Sequence, residues 1–346
     1  MTAPLRLSLD TSALVANWRA LDTLSGTAAC GAAVKADGYG LGAAGVVERL
    51  AEAGCRDFFV ASWGEAAALA DLVTALKVDL SVLHGVRAED MPLAMQGFSR
   101  PVLNTLEQIR SWRDAGGGRC DVMVDTGMNR LGLSPEQVAD GAIDGLAIDT
   151  LMSHLSCADE DAPANARQRD RLEALRGKTG ARRLSLANSA GIALGQAYAF
   201  DLTRPGLALY GGVPRGELAD VVRQVATPQA QILQRRTLAA GESIGYNALY
   251  TAREPIEVAI LNIGYADGYW RGFTNAGIAR VGDAVLPVLG RVSMDLTAIA
   301  VDALPTLGEG DWVTLDYALP AAAVASGMSQ YELLTGLGAR FDRIWF

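Results

Sequence analysis

The sequence predicts an α/β chain: an N-terminal (β/α)8 TIM-like barrel over residues 8–222, followed by a C-terminal all-β domain over residues 223–346. Three observations predict it. From about residue 28 to residue 213, short apolar runs alternate with alanine- and leucine-rich stretches, the pattern of βα units around a parallel sheet. After about residue 222 that texture gives way to β-branched and aromatic residues broken by glycine turns such as Ala240-Gly241-Glu242 and Leu307-Gly308-Glu309-Gly310. The chain has 346 residues, 50% of them hydrophobic, which exceeds the size at which a single core stops growing.

Strands are expected at 28–35, 57–62, 80–84, 101–104, 121–125, 150–154, 183–188 and 207–210. Helices are expected at 43–53, 64–75, 106–115, 135–139 and 165–179, with a final one suggested over 215–224. Eight repeats favour a closed barrel over an open sheet, and in such a barrel the residues at the carboxyl ends of the strands face the active site. Those ends carry Lys35, His84, Asn104, the run Asp125-Thr126-Gly127-Met128-Asn129-Arg130, His154 and Asn188-Ser189, with Arg204 just before the eighth strand. Each alone reads equally as a cap or a surface residue; their sharing one end of the sheet is what points to a site. At the first of these ends, Lys35 closes an apolar run and is followed by Gly38, Gly40 and Gly42. A lysine so placed is held in a cleft, where desolvation and cationic neighbours lower its pKa toward nucleophilic strength. On spacing alone, a surface lysine in a turn reads as well.

Composition narrows the partners. The formal net charge of −9 argues against nucleic acid, which needs a basic face. The first twenty residues lack a basic region followed by an apolar one, and no run of about 18 apolar residues occurs, so no membrane partner and a cytoplasmic location are expected. Cys30, Cys55, Cys120 and Cys157 form no CxxC pair and only two histidines exist, so no metal site is expected. Small molecules remain.

Seven motifs then recur in a specific order: Val34-Lys35-Ala36-Asp37-Gly38-Tyr39-Gly40, Val124-Asp125-Thr126-Gly127-Met128-Asn129-Arg130-Leu131-Gly132, Ser153-His154, Ala187-Asn188-Ser189, Arg204-Pro205-Gly206, Ile263-Gly264-Tyr265-Ala266-Asp267-Gly268 and Ser293-Met294-Asp295. From about residue 7 to residue 346 the chain resembles the alanine racemase family, fold-type III enzymes that use pyridoxal 5'-phosphate (PLP). The resemblance implies that Lys35 carries PLP, that Tyr39, Ser189, Gly206, Leu207 and Tyr210 surround its phosphate, and that Asn188, His154 and Arg204 belong to the same cofactor site, Arg204 facing the pyridine nitrogen. It also implies two bases, Lys35 for D-alanine and Tyr246 for L-alanine, with His154 aiding Tyr246. Arg130 and the Met294 backbone N–H would hold the substrate carboxylate, Tyr265 would line the entrance and Asp295 would orient these groups. A head-to-tail homodimer with shared active sites, in which the tyrosine comes from the partner, is implied as well.

The chain departs from familiar relatives in two places. Met123 stands where some members carry a carbamate-modified lysine that steadies the arginine matching Arg130. Ala339 stands where several carry a tyrosine near the phosphate. Competing readings are a broad-specificity racemase acting on serine, a fold-type III decarboxylase, or a non-enzymatic PLP homeostasis protein. Arg204 speaks against the decarboxylase, which uses an acidic partner for the pyridine nitrogen, and residues 223–346 against the homeostasis protein, which has no second domain.

Overall fold

The computed structural model describes residues 3–346 and divides into two compact units. The barrel unit comprises Leu14–Leu209 and Val213–Arg223. Its parallel strand segments follow the order Ala29–Cys30, Leu202–Thr203, Arg183–Ser185, Ile148–Met152, Cys120–Met123, Arg100–Leu103, Asp79–Val82, Asp57–Val60 and Ala32–Ala33. The first and last of these are one stretch of chain interrupted only at Gly31, so the order returns to its start and the sheet closes as a barrel. At the closure the Gly31 N–H donates to the Thr203 carbonyl at 2.9 Å. A Cβ at residue 31 would lie 2.8 Å from the Asp57 carbonyl oxygen, so the seam requires a residue without a side chain.

The outer helices form where apolar residues recur at helical spacing: Ala43–Ala53 buries Val46, Val47, Leu50 and Ala51 against the sheet. Leu106–Asp114 and Pro135–Ala139 follow expectation, each opened by a hydroxyl side chain, Thr105 or Ser134, that accepts a backbone N–H of the first turn. The helix expected over 64–75 is divided at Leu69 into Trp63–Ala68 and Ala70–Leu76, and that expected over 165–179 runs Pro163–Glu173.

Two expectations are corrected. The eighth strand is Leu202–Thr203, and residues 207–210 form a buried 3-10 turn instead. Pro205 has no N–H to give to a ladder, so the strand cannot run through it. Arg204 therefore ends the eighth strand rather than preceding it. The helix suggested over 215–224 is reduced to the single turn Gly216–Leu218.

The second unit comprises Gln224–Phe346, Tyr210–Gly212 and, at the N-terminal side, residues 3–13. Its organising strand, Ala226–Leu238, alternates buried and half-buried positions in its first half and changes register between Ile232 and Gln234. The irregularity lets one strand serve two neighbours, Trp312–Leu315 before it and Ile256–Leu261 after it. The ring then closes through Thr297–Ala300, Ala284–Leu289 and Ile278–Val281 as an antiparallel β domain. Leu5–Leu9 adds to the same sheet, antiparallel to Ala226–Leu238 and parallel to Asp342–Trp345. Two short helices, Leu319–Ser326 and Gln330–Thr335, accompany the strands; the first is an alanine-rich run whose sequence has no helical period. Among the described residues no helix is long and apolar enough to cross a membrane.

Candidate active site

The carboxyl end of the barrel gathers Lys35, Arg130, His154, Asn188, Ser189 and Arg204, each within a few residues of a strand end or on the loop that follows it. Lys35 opens a turn in which Ala36 (φ 54°), Asp37 (φ 52°), Gly38 (φ 63°) and Tyr39 (φ 55°) are all left-handed. For the three residues that are not glycine this costs roughly 1–2 kcal/mol each, so the surroundings must hold the turn in place. The Glu65 carboxylate accepts the Ala36 N–H at 2.7 Å, and the Asp37 carboxylate accepts the Ala43 N–H at 2.8 Å.

Arg130 sits on a loop folded back on itself: Asp125 Oδ1 accepts the N–H groups of Gly127, Met128 and Asn129 at 2.8, 2.9 and 3.0 Å, and the loop rejoins the strand end through Val124 and Leu133. A Cβ at Gly132 would lie 2.7 Å from the Asp125 nitrogen, and Met123 is buried against this glycine. Arg130 itself is exposed. Arg204 is the opposite case, buried with its guanidinium donating to Ser185 Oγ and, at 2.6 Å, to the Ser153 carbonyl, 5.9 Å from the Phe59 ring centroid.

Around residue 206 the backbone turns its donors inward. Ser189 Oγ accepts the N–H groups of Gly206 at 2.9 Å and Ala208 at 3.2 Å. Asn188 places Ser189 there by capping its short helix, Oδ1 accepting the Gly191 N–H at 2.8 Å. A Cβ at Gly206 would overlap the Tyr39 hydroxyl. Two backbone donors, a serine hydroxyl and a tyrosine hydroxyl thus meet at a cradle that any side chain at residue 206 would fill, a donor set suited to a phosphate dianion. Leu207 and Tyr210 form the buried turn that follows.

Electrostatically this end is cationic. Among the described residues none of the ion pairs involves Lys35, Arg130 or Arg204. Burial, then the charges of Arg130 and Arg204, push the Lys35 ammonium below the ordinary lysine range, with Glu65 pulling the other way. Burial pushes the His154 imidazole down to about 3, assisted by Arg204, Arg130 and Lys35, so it is neutral near pH 7. Burial brings Arg204 down to about 10 against the pull of Asp121, so it remains a cation that can only donate. The other strand-end groups read from the sequence stand apart: His84 is exposed, and the Asn104 amide donates to the Leu83 and Val102 carbonyls.

The β unit carries the remaining candidates. Tyr246 opens a 3-10 turn after Gly245 and is 67% exposed. Tyr265 and Met294 lie on two segments that pair directly, the Tyr265 N–H donating to the Ser293 carbonyl and the Ala266 N–H to the Met294 carbonyl, both at 3.0 Å. Gly264 permits that approach, since a Cβ there would overlap the Met294 carbonyl oxygen. Arg340 locks the pair, donating to Asp267 at 2.6 Å and Asp295 at 2.8 Å. Met294 is 54% exposed.

Sequence reasoning missed Glu65, Ser185 and Phe59. Glu65 had a signal, standing three residues after Ser62 in a capping box. Ser185 and Phe59 had none, because which strand residues meet Arg204 follows only from the register of the closed barrel.

The chain is similar to known proteins along its whole length. The family model for the alanine racemase N-terminal domain matches residues 9–214, and that for the C-terminal domain matches residues 225–345. An alanine racemase of Acidiphilium cryptum is 41% identical over 98% of both chains, and a catabolic alanine racemase of Mesorhizobium japonicum is 41% identical over 97% of this chain and 92% of its own. The crystal structure of alanine racemase from Bartonella henselae with covalently bound pyridoxal phosphate superimposes with a TM-score of 0.89 at 32% identity, covering 99% of both chains. The biosynthetic alanine racemase of Pseudomonas aeruginosa gives 0.87 at 31% identity over the full length of both. With both of its domains matched by the family's models, the chain belongs to the alanine racemase family.

Proposed function

We propose that this chain interconverts L- and D-alanine in the cytoplasm with PLP as cofactor, by a two-base mechanism in an active site shared between two copies. The observation that carries the reading is the barrel's carboxyl end: three cations in no ion pair among the described residues, a neutral histidine, and backbone and hydroxyl donors converging beside Gly206. The residues fit the cofactor. Tyr39, Ser189 and the N–H groups at 206 and 208 suit its phosphate, Leu207 and Tyr210 back that turn, Asn188 presents Ser189, and Lys35 supplies the amine that carries it.

Bound PLP supplies an electron sink that lets the substrate Cα release its proton. The chain's own groups do the rest. Lys35 Nζ, with its basicity lowered, takes or returns the proton on one face of Cα, and the Tyr246 hydroxyl serves the other face. Tyrosine needs help to act near neutrality, its reference pKa being about 10, and the neutral His154 can accept a hydrogen bond while remaining uncharged. Arg204, a pure donor, keeps the group opposite it unprotonated and so restrains the electron sink. Arg130 offers a planar donor fork to the substrate carboxylate, joined by the Met294 N–H, while Asp295 through Arg340 holds the segment of Met294 beside that of Tyr265 at the entrance.

Tyr246 and Met294 are 67% and 54% exposed in the single chain, so both are open to a second copy that would complete the site. A two-fold homodimer repeats each contact reciprocally and holds two such sites. The activity is tested by following the circular dichroism of L-alanine with PLP-loaded protein: decay to zero is expected, and a persistent signal overturns the reading. Sharing is tested by mixing Lys35→Ala with Tyr246→Phe protein under subunit exchange. Mixed dimers hold one intact site and should recover up to half of parental activity; silence with heterodimers present overturns the shared site.

A further inference from the structure

We propose that Glu65 is the positioning residue of Lys35: its carboxylate, shared among three backbone N–H groups, locks the left-handed turn that begins at Ala36 to the next βα loop and thereby fixes where the Lys35 amine points. The proposal rests on the reading of Lys35 as the reacting amine. Glu65 stands in the first turn of Trp63–Ala68, where its capping box with Ser62 occupies one oxygen: Oε2 accepts the Ala61 N–H at 2.6 Å and the Ser62 N–H at 3.2 Å. Nothing in a helix cap requires the second oxygen to leave the loop. Here it does, reaching 29 positions back along the chain to accept the Ala36 N–H at 2.7 Å.

That N–H belongs to the first of four consecutive residues with positive φ, three of which are not glycine. A backbone so strained relaxes unless its neighbours over-determine it. Within the turn the carbonyls of Val34, Ala36 and Asp37 accept the N–H groups of Gly38, Gly40 and Gly42, bonds that coil the turn without attaching it to the barrel beside it. The bond to Glu65 attaches it, one residue beyond Lys35. A reacting atom displaced by about 1 Å can lose on the order of 10²-fold in rate, which is the scale such a tether protects. Glu65 also acts through charge. The groups that face Lys35 are Arg130, Arg204, His154 and Glu65, and of these Glu65 alone holds the amine's basicity up.

The chain offers its own control for separating the cap from the tether. Ser134 and Gln137 form the same capping box with glutamine in place of glutamate, the Ser134 N–H donating to Gln137 Oε1 at 2.9 Å. Glu65→Gln can therefore still cap its helix, but its single carbonyl oxygen is then engaged and an NH2 group confronts the Ala36 N–H. The substitution keeps the helix and cuts the tether.

The test uses Glu65→Gln and Glu65→Ala, read in two ways. The PLP-loaded proteins give kcat and KM for alanine. The apoproteins are labelled with cyanate across a pH series and mapped by mass spectrometry; Lys77 and Lys178, the only other lysines in the sequence, serve as internal references. Glu65→Gln is expected to melt near the parent, to lose on the order of 10–100-fold in kcat with KM nearly unchanged, and to show a lower labelling midpoint for Lys35 alone. Glu65→Ala should repeat both effects; if it does not fold, Glu65→Gln decides by itself. Parental turnover in Glu65→Gln, or lost turnover with an unaltered Lys35 labelling profile, overturns the proposal. Borohydride reduction of the parent, which fixes the pyridoxyl group to its lysine, tests the underlying reading separately: a label on Lys77 or Lys178 defeats the assignment of Lys35 and leaves the Glu65 result to be read from labelling.

Discussion

The two ends of the barrel carry the same kinds of charge and treat them in opposite ways. At the amino end Asp57, Asp79 and Arg100 begin their strands, Asp121 and Asp149 are second in theirs, and Arg183 begins the seventh. Every charge there is answered. Arg183 grips Asp57 with two nitrogens at 2.7 and 3.1 Å and reaches Asp149 at 2.6 Å; Arg100 lies 2.8 Å from Asp79; Arg119 and Arg182 each meet Asp149 at 2.8 Å; and Asp121 accepts from Ser81 and from the Thr150 N–H. At the carboxyl end Lys35, Arg130 and Arg204 have no such partners among the described residues. Buried charges are tolerated when paired and costly when not. A compensated cluster is thus part of the barrel's own fabric, whereas an uncompensated one marks where an anionic ligand completes the structure.

The largest expected effect breaks function without touching stability. On the proposed mechanism Lys35→Ala should lose about 10⁴-fold or more in racemisation, since there it removes both a proton-transfer group and the amine that carries the cofactor. Its apoprotein should melt at or above the parental temperature, because Lys35 is a partly desolvated cation repelled by Arg130 and Arg204. A destabilised Lys35→Ala apoprotein would undo the contrast between the ends. Asp149→Asn is the converse. It strips the shared anion from Arg119, Arg182, Arg183 and Arg100, and should cost about 3–5 kcal/mol in urea unfolding. Below its melting temperature the holoenzyme should keep parental kcat, and a variant as stable as the parent would show that the pairing is idle.

A smaller effect sharpens the carboxyl end. Gly206→Ala pushes a methyl group into Tyr39, an overpacking that costs about 1–3 kcal/mol. The loss should appear as roughly tenfold or weaker PLP affinity, equivalent to about 1.4 kcal/mol, measured by fluorescence titration of the apoprotein. Unchanged affinity would remove residue 206 from the cradle.

How much of this could be read from the chain depended on whether the cause was local. Lys35, His154, Asn188 and Ser189 were legible because a polar residue after an apolar run is a local pattern, and a parallel sheet puts all such ends on one side. The helix at 43–53 was legible from its periodicity. The eighth strand was misplaced because Leu207-Ala208-Leu209-Tyr210 is more apolar than Leu202-Thr203, and burial in a turn produces the same signature as burial in a strand. Gly31 as the seam, the tie from Glu65 to Ala36 and the contact of Arg204 with Ser185 depend on residues distant in sequence. The joining of Asp149 to four arginines, two from strands and two from the loops just before strands, is equally non-local.

The effect that is smallest at any one step, a slope rather than a single loss, separates the ends by pH. Burial alone would raise Asp149, but the hydrogen bond from Arg119 and the charges of Arg100 and Arg183 hold its carboxyl well below the usual carboxylate range. A depressed acid contributes stability that is present above its unfolded pKa, near 3.9, and is lost as pH falls below that value. His154 is a depressed base, at about 3 in the folded chain against an ordinary 6.5. Above pH 6.5 it is neutral in both states and adds no slope; between 6.5 and 3 the unfolded chain takes up a proton that the folded chain refuses, so stability falls as pH falls. One proton corresponds to about 1.4 kcal/mol per pH unit at most. The two ends therefore titrate in different windows. Urea unfolding of the apoprotein from pH 8 to pH 3.5 should show a decline that begins near 6.5 and steepens below 4. His154→Asn should flatten the upper part and leave the lower, while Asp149→Asn should do the reverse on a lower baseline. An identical slope between pH 6 and 4.5 for His154→Asn and the parent would mean that the histidine at the carboxyl end is protonated in the folded chain, and that the cationic character of this end does not extend to it.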